Sequence, residues 1–180
     1  EKIEFKQNSY EDGENSIISF PEFLLLVLDV CTGGEQPASH YQPDKLIEKF
    51  DALKTYFTAG EFYEKMLYYR LLLDYYTIRR DIKDGQGNYS LILKGPKDDS
   101  DKLKQYQSML YVSTEAFYNW LKPYLRKLEQ DELHSCAEML AFLKKEDNER
   151  HSILPARKDL SYKASGNIRS VSYTHLTLPT

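Results

Sequence analysis

The sequence predicts a mainly α protein, an irregular multi-helix bundle that can carry one small β-hairpin. Three observations predict it. Apolar residues recur every three or four positions through most of the chain, two Ser/Thr-x-x-Glu boxes stand directly ahead of apolar runs, and alternation of period two is confined to a stretch around Asp84-Gly85. With 180 residues, 41% of them hydrophobic and 13% aromatic, the chain can bury one ordinary core. Its 15 Tyr suit positions half in a core and half in water, such as helix seams or partner surfaces.

Residues 1–15 are polar apart from Ile3 and Phe5 and read as a lead-in loop or edge strand. Ser19 then caps a first helix, about Phe20 to Cys31, with Pro21 in its first turn and Glu22 closing a capping box. The Gly- and Pro-containing "TGGEQPASHYQP" is a loop, after which Asp44 can cap a second helix, about Asp44 to Tyr56, with Leu46, Ile47, Phe50, Leu53 and Phe57 at helical spacing. Thr58 and Glu61 open the longest helix, "AGEFYEKMLYYRLLLDYYTIRR". Phe62, Met66, Tyr69, Leu73 and Tyr76 form one of its apolar stripes, and Tyr63, Leu67, Leu71 and Tyr75 form another. A helix apolar nearly all round is expected in the middle of the fold.

After it, an Ile-rich segment and the alternating "YSLIL" can pair as a hairpin across Asp84-Gly85. Leu103, Tyr106, Gln107, Leu110 and Tyr111 mark a short helix that ends in a corner. Ser113 or Thr114 caps the next helix, whose face is Phe117, Trp120, Leu121, Tyr124, Leu125 and Leu128. Pro123 either kinks that helix or restarts it. A final helix, about Asp131 to Lys145, carries Leu133, Ala137, Leu140 and Phe142, with Lys144 and Lys145 at its C-terminal dipole. Residues 16–145 thus form the helical domain and 146–170 an irregular segment. "VSYTHLTLPT", 171–180, resembles a translated sequencing-adapter tail, and the start at Glu1 without Met reads as a truncated frame.

Charge and motif content exclude several function classes. A net charge of −4 supplies no field for coating polyanions. Cys31 and Cys136 stand far apart without a CxxC, which fits buried thiols in a reducing compartment. The run "FPEFLLLVLDVC" is far short of the ~20 residues that span a bilayer. With no signal-peptide pattern ahead of it, the expected location is cytoplasmic and no membrane partner is expected.

"DELHSCAE" sets Asp131, His134 and Glu138 on one helical face, but a di-metal bundle site needs a second Glu-x-x-His helix, so a solvated capping turn is the better account. "TGGEQ" and "DGQGN" lack the spacing of a phosphate cradle and read as turns. His40, His151 and His175 have no local Ser or Cys partner for nucleophilic catalysis. No catalytic, cofactor-binding or metal-binding set is therefore assigned. Arg79, Arg80 and Lys83, and Lys122, Arg126 and Lys127, are the basic clusters with aromatics nearby and the candidates for nucleic-acid contact. Arg70 and Asp74, four apart, are expected to pair.

Four stretches in order, "IISFPEFLLLVLDV", "DKLIEKFD", "YYRLLLDYYTIRRDI" and "QSMLYVSTEAFYNWLKPYL", resemble the helical section of the GmrSD-type modification-dependent restriction endonucleases, over about Ser16 to Leu128. In these the section follows a ParB/sulfiredoxin-like N-terminal domain. Arg70 and Asp74 match the family's Arg/Asp pattern, and Trp120 its aromatic after the "SML" helix. The family's Asp-Gly-Gln-Gln-Arg signature and its HNH domain do not occur here, and "DGQGN" lacks the Arg.

The resemblance implies a non-catalytic helical piece of a nucleotide-dependent anti-phage DNA endonuclease. Its partners would be the parent's N- and C-terminal domains and, through the parent, DNA. Nucleoside triphosphate and divalent metal would be needed only by the parent. The alternatives are a stand-alone helical protein-interaction module unrelated to DNA and a metal-dependent helical enzyme.

Overall fold

The computed structural model describes residues 13–82, 88–96, 100–113 and 116–153, of which 13–14 and 151–153 are described in backbone only. Among them are six α-helices and one three-stranded antiparallel sheet, so the mainly α expectation holds. In chain order these are β1 (Gly13–Ser16), α1 (Phe20–Cys31), α2 (Leu46–Leu53), α3 (Ala59–Tyr76), β2 (Ile78–Ile82), β3 (Tyr89–Leu93), α4 (Ser100–Val112), α5 (Phe117–Glu129) and α6 (Cys136–Ile153). Lys83 and the Asp84-Gly85 turn, Thr114, and 171–180 lie outside the described residues.

Helix α1 is the centre. Leu25 to Asp29 are each 0% exposed, and α1 packs on both α3 and α2. Both sequence-predicted capping boxes form: Ser19 Oγ accepts from the Glu22 N–H and Thr58 Oγ1 from the Glu61 N–H, while each Glu returns to its cap backbone. At its other end α1 closes in a Schellman turn, Gly33 N–H donating to Val30 O and Gly34 N–H to Asp29 O, with both glycines at positive φ. Helix α5 lies against α3 and α6, and α4 packs between α6 and the sheet. Trp120, Tyr124, Leu121 and Leu125 of α5 are all buried, as the periodicity predicts.

The sheet runs β1-β2-β3, with Ile78 opposite Leu93 and Ile82 opposite Tyr89, so the expected hairpin is present and the lead-in supplies an edge strand to it. The long helix stops at Tyr76 rather than running on to Arg80. Thr77 turns its hydroxyl back to Leu73 O, and Ile78 begins the central strand.

Other expectations are corrected. Helix α3 does not sit in the middle: its stripe Tyr69, Leu73 and neighbours is buried, but Tyr63, Leu67, Leu71 and Tyr75 are exposed. Helix α2 is Leu46–Leu53, not Asp44 to Tyr56. Residues Pro43–Lys45 form a 3-10 turn, Asp44 caps nothing, and Ile47 is exposed. The chain leaves α2 early because Phe57 folds back onto Phe50 and Phe62, with ring centroids at 6.4 and 5.4 Å.

Ser113 is not the N-cap of α5. That position is Ala116, without a side-chain cap, and Ser113 instead closes α4 by donating its hydroxyl to Leu110 O. Pro123 sits inside α5, where its missing N–H frees the carbonyl of Asn119, and Arg150 of α6 donates to it. Finally, α6 starts at Cys136 and runs to Ile153, so the first residues of the expected irregular segment are helical. Asp131 adopts φ 56°, which no helix interior allows, and the buried residues of α6 are Cys136, Met139 and Leu143, with Ala137 exposed.

Candidate functional site

Among the described residues, one face of α3 carries a row of exposed large apolar side chains. Tyr63, Leu67, Leu71 and Tyr75, spaced by four, are 57%, 46%, 69% and 47% exposed, with Tyr68 beside them at 44%. Four-residue spacing on a helix makes a continuous ridge. Isolated exposed apolar residues are ordinary, whereas these four form one contiguous row.

The ridge is held rigid from behind. Lys65, two residues after Tyr63, pairs with Glu129 Oε1 of α5, and Tyr69 donates its hydroxyl to Glu129 Oε2 at 2.6 Å. Burial works against the Glu129 carboxylate, but the bonds from Lys65 and Tyr69 and the charges of Lys65 and Arg126 outweigh it and hold its pKa below the usual value. Burial, then the bond to Glu129, pushes the Tyr69 phenol far above its ordinary range, so it remains a donor. Tyr75 stacks edge-on with Tyr76 at 4.8 Å. Its ring lies so close to Gly95 that a Cβ there would overlap it.

Arg70 and Asp74 pair as the spacing predicts, Nε to Oδ2 at 2.8 Å, both about one-third exposed. Arg79 of β2 brings its Nε to 3.9 Å from the other oxygen of Asp74. The pair is therefore part of a helix-to-strand cluster at the end of the ridge. Trp120, 1% exposed, is a core anchor of α5 and not a surface contact.

The basic candidates divide by how far they are already committed. Arg80 donates through Nε and Nη2 to Ser16 O, tying β2 to β1. Lys127 bonds Glu132 at 2.6 Å. The Arg126 guanidinium lies against Gly34, where a side chain would collide with it. Lys122 reaches into the fold, bonding Asp29 Oδ2 at 2.9 Å and Gly34 O at 3.1 Å over the ring of Tyr41.

That last contact belongs to a buried network the sequence reading missed. Asp29 is fully buried, and its carboxylate accepts from the Gln36 N–H at 2.8 Å, the Tyr41 hydroxyl and Lys122. The charge is thus paired and hydrogen-bonded, as burial demands. Burial and the bond to Asp29 raise the Tyr41 pKa far above the phenol range. His40, 1% exposed, places Nε2 2.8 Å from Leu25 O, and its burial lowers its pKa despite that bond. A lone Asp in the otherwise apolar "FLLLVLDVC" was the available signal.

These groups are donors and acceptors locked into structure. Burial raises the Cys31 thiol, which keeps it a poor nucleophile. Asp131 and His134 precede α6, and Glu138 directs its carboxylate to the His134 N–H at 2.8 Å. Among the described residues no three His, Cys, Asp or Glu side chains gather as a metal-binding group, and no helix is long and apolar enough to cross a membrane. No protein-family model matches the chain, and comparison with curated proteins and with solved structures gives no match.

Proposed function

We propose that this chain is the non-catalytic helical body of a GmrSD-like restriction protein of anti-phage defence, a cytoplasmic piece that bridges nucleotide-using and nuclease domains. The observation that carries an interaction role is the exposed Tyr63-Leu67-Leu71-Tyr75 ridge, an apolar surface on a helix otherwise braced by polar contacts. The family reading rests on the four resembling stretches, which fall on α1, on α2, on α3 with β2, and on α4 with α5. Nucleotide, divalent metal and DNA would then be handled by the parent's other domains.

The test is the genomic locus and the purified protein together. An upstream Asp-Gly-Gln-Gln-Arg frame and a downstream HNH frame, with a chain that by itself neither cleaves DNA nor hydrolyses nucleoside triphosphates, support the reading. Turnover that survives repurification and disappears on a point mutation refutes it. A stand-alone interaction module unrelated to DNA is favoured by one observation, the internal commitment of Arg80, Lys122 and Lys127. A native start codon directly ahead of Glu1 supports that second reading.

A further inference from the structure

We propose that the α3 ridge docks on the same ridge of a second copy of this chain, across a two-fold axis. This rests on the reading of the ridge as a docking face and names its occupant. Read along the helix, the ridge is Tyr63, Leu67, Leu71, Tyr75, the same in either direction. An isologous contact pairs each residue i with a residue j in both directions, and in this row that sets Tyr against Tyr and Leu against Leu. When two helices cross so that their four-spaced rows align, at about −50°, antiparallel copies set each Tyr63 beside Tyr75 of the second copy and each Leu67 beside Leu71. Apolar groups meet apolar groups, and the Arg70–Asp74 pair and Glu64 are left at a polar rim.

The area agrees. With their exposed surface fully covered, the four ridge side chains and Tyr68 offer at most about 500 Å² per copy, hence at most about 1,000 Å² for the pair, the size at which a specific interface begins. The ridge is also prepared for binding. Tyr75 is fixed between Tyr76 and Gly95, and the Tyr69 ring, which meets Tyr68 edge-on at 6.4 Å, is tied by its hydroxyl to Glu129, so the rings lose little freedom on docking. A contact of threshold size should give a reversible, concentration-dependent dimer.

Sedimentation equilibrium of the full chain across micromolar concentrations is the test, run beside Leu67→Glu/Leu71→Glu and, as a milder second variant, Tyr63→Lys. The expected result is a wild-type monomer–dimer equilibrium whose dissociation constant rises at least about 100-fold in the double variant, with the circular dichroism melt retained. A dimer that persists in a folded variant overturns the proposal, and so does a wild type that stays monomeric at about 100 μM.

In the monomeric case, maleimide labelling of Leu71→Cys separates the two readings. Fast labelling beyond the wild-type thiols leaves an open face for a different protein and keeps the docking reading. Protection means that the chain's own residues cover the ridge, and both readings fall. If the double variant fails to fold, Tyr63→Lys decides alone.

Discussion

Helices α1 and α3 look alike in sequence, each opened by a capping box and each dense in large apolar residues, yet one is enclosed and the other presents a face to water. The difference lies in what surrounds the apolar letters. In α1 the run Leu24 to Leu28 has no polar tips, and the carboxylate that follows it, Asp29, finds three donors in the interior. In α3 the second stripe begins and ends in Tyr, whose hydroxyl can stay wet while its ring covers neighbours, so exposure is tolerated there. An apolar circumference therefore does not by itself place a helix at the centre; the chemistry at its edges decides.

The largest break in this comparison should come from the helix on the far side of α3. Trp120→Ala empties a fully buried aromatic site and should lower stability by about 3–5 kcal/mol in urea unfolding. A midpoint close to wild type would mean that α5 does not anchor the core. Within α1, Leu26→Ala should cost about 2–5 kcal/mol, the range for a buried Leu.

Acid should act on the same enclosed region. Burial lowers the pKa of His40, helped by the charges of Lys49 and Lys122 and opposed by the Leu25 carbonyl and Asp29, so the folded state prefers the neutral ring. Its contribution is complete above the unfolded value of 6.5 and is lost as pH falls through the folded value. Melting temperature should drop between pH 7.5 and 5.5, and His40→Gln should flatten that slope.

The helix starts sharpen the comparison from the other direction. Ser19→Ala and Thr58→Ala remove equivalent caps and should each cost about 1 kcal/mol, leaving burial as what separates the two helices. The smallest effect belongs to Leu71→Ala, expected within about 0.5 kcal/mol when measured at concentrations that keep the chain monomeric. A loss similar to that of Leu26→Ala would show the ridge to be covered within one chain.

What was legible in the sequence was whatever is written locally. The two capping boxes, the bounds of α1, the hairpin and the buried face of α5 all follow from spacing within a few residues. What was not legible is settled by partners distant in the chain. The last turns of α6 carry no apolar period and are held by Tyr106 bonding Asp147 and by Arg150 filling the gap left by Pro123. The Asp29 network joins residues 93 apart. The row Tyr63-Leu67-Leu71-Tyr75 is legible as a stripe but its surroundings are not, because periodicity reports a face but not what lies against it.

Gln107 shows how narrowly one position can be specified. Fully buried on α4, it accepts the Ile78 N–H on Oε1 at 2.9 Å and donates Nε2 to Tyr76 O at 3.0 Å, standing in for the peptide neighbour that the α3-to-β2 corner lacks. Such a stand-in must carry one donor and one acceptor on the same planar group, with enough methylenes to reach. Glu brings two acceptors, Leu and Met neither, and Asn is a carbon short. The alphabet of twenty thus contracts to very few letters at this site, although nothing beside it in the chain says so.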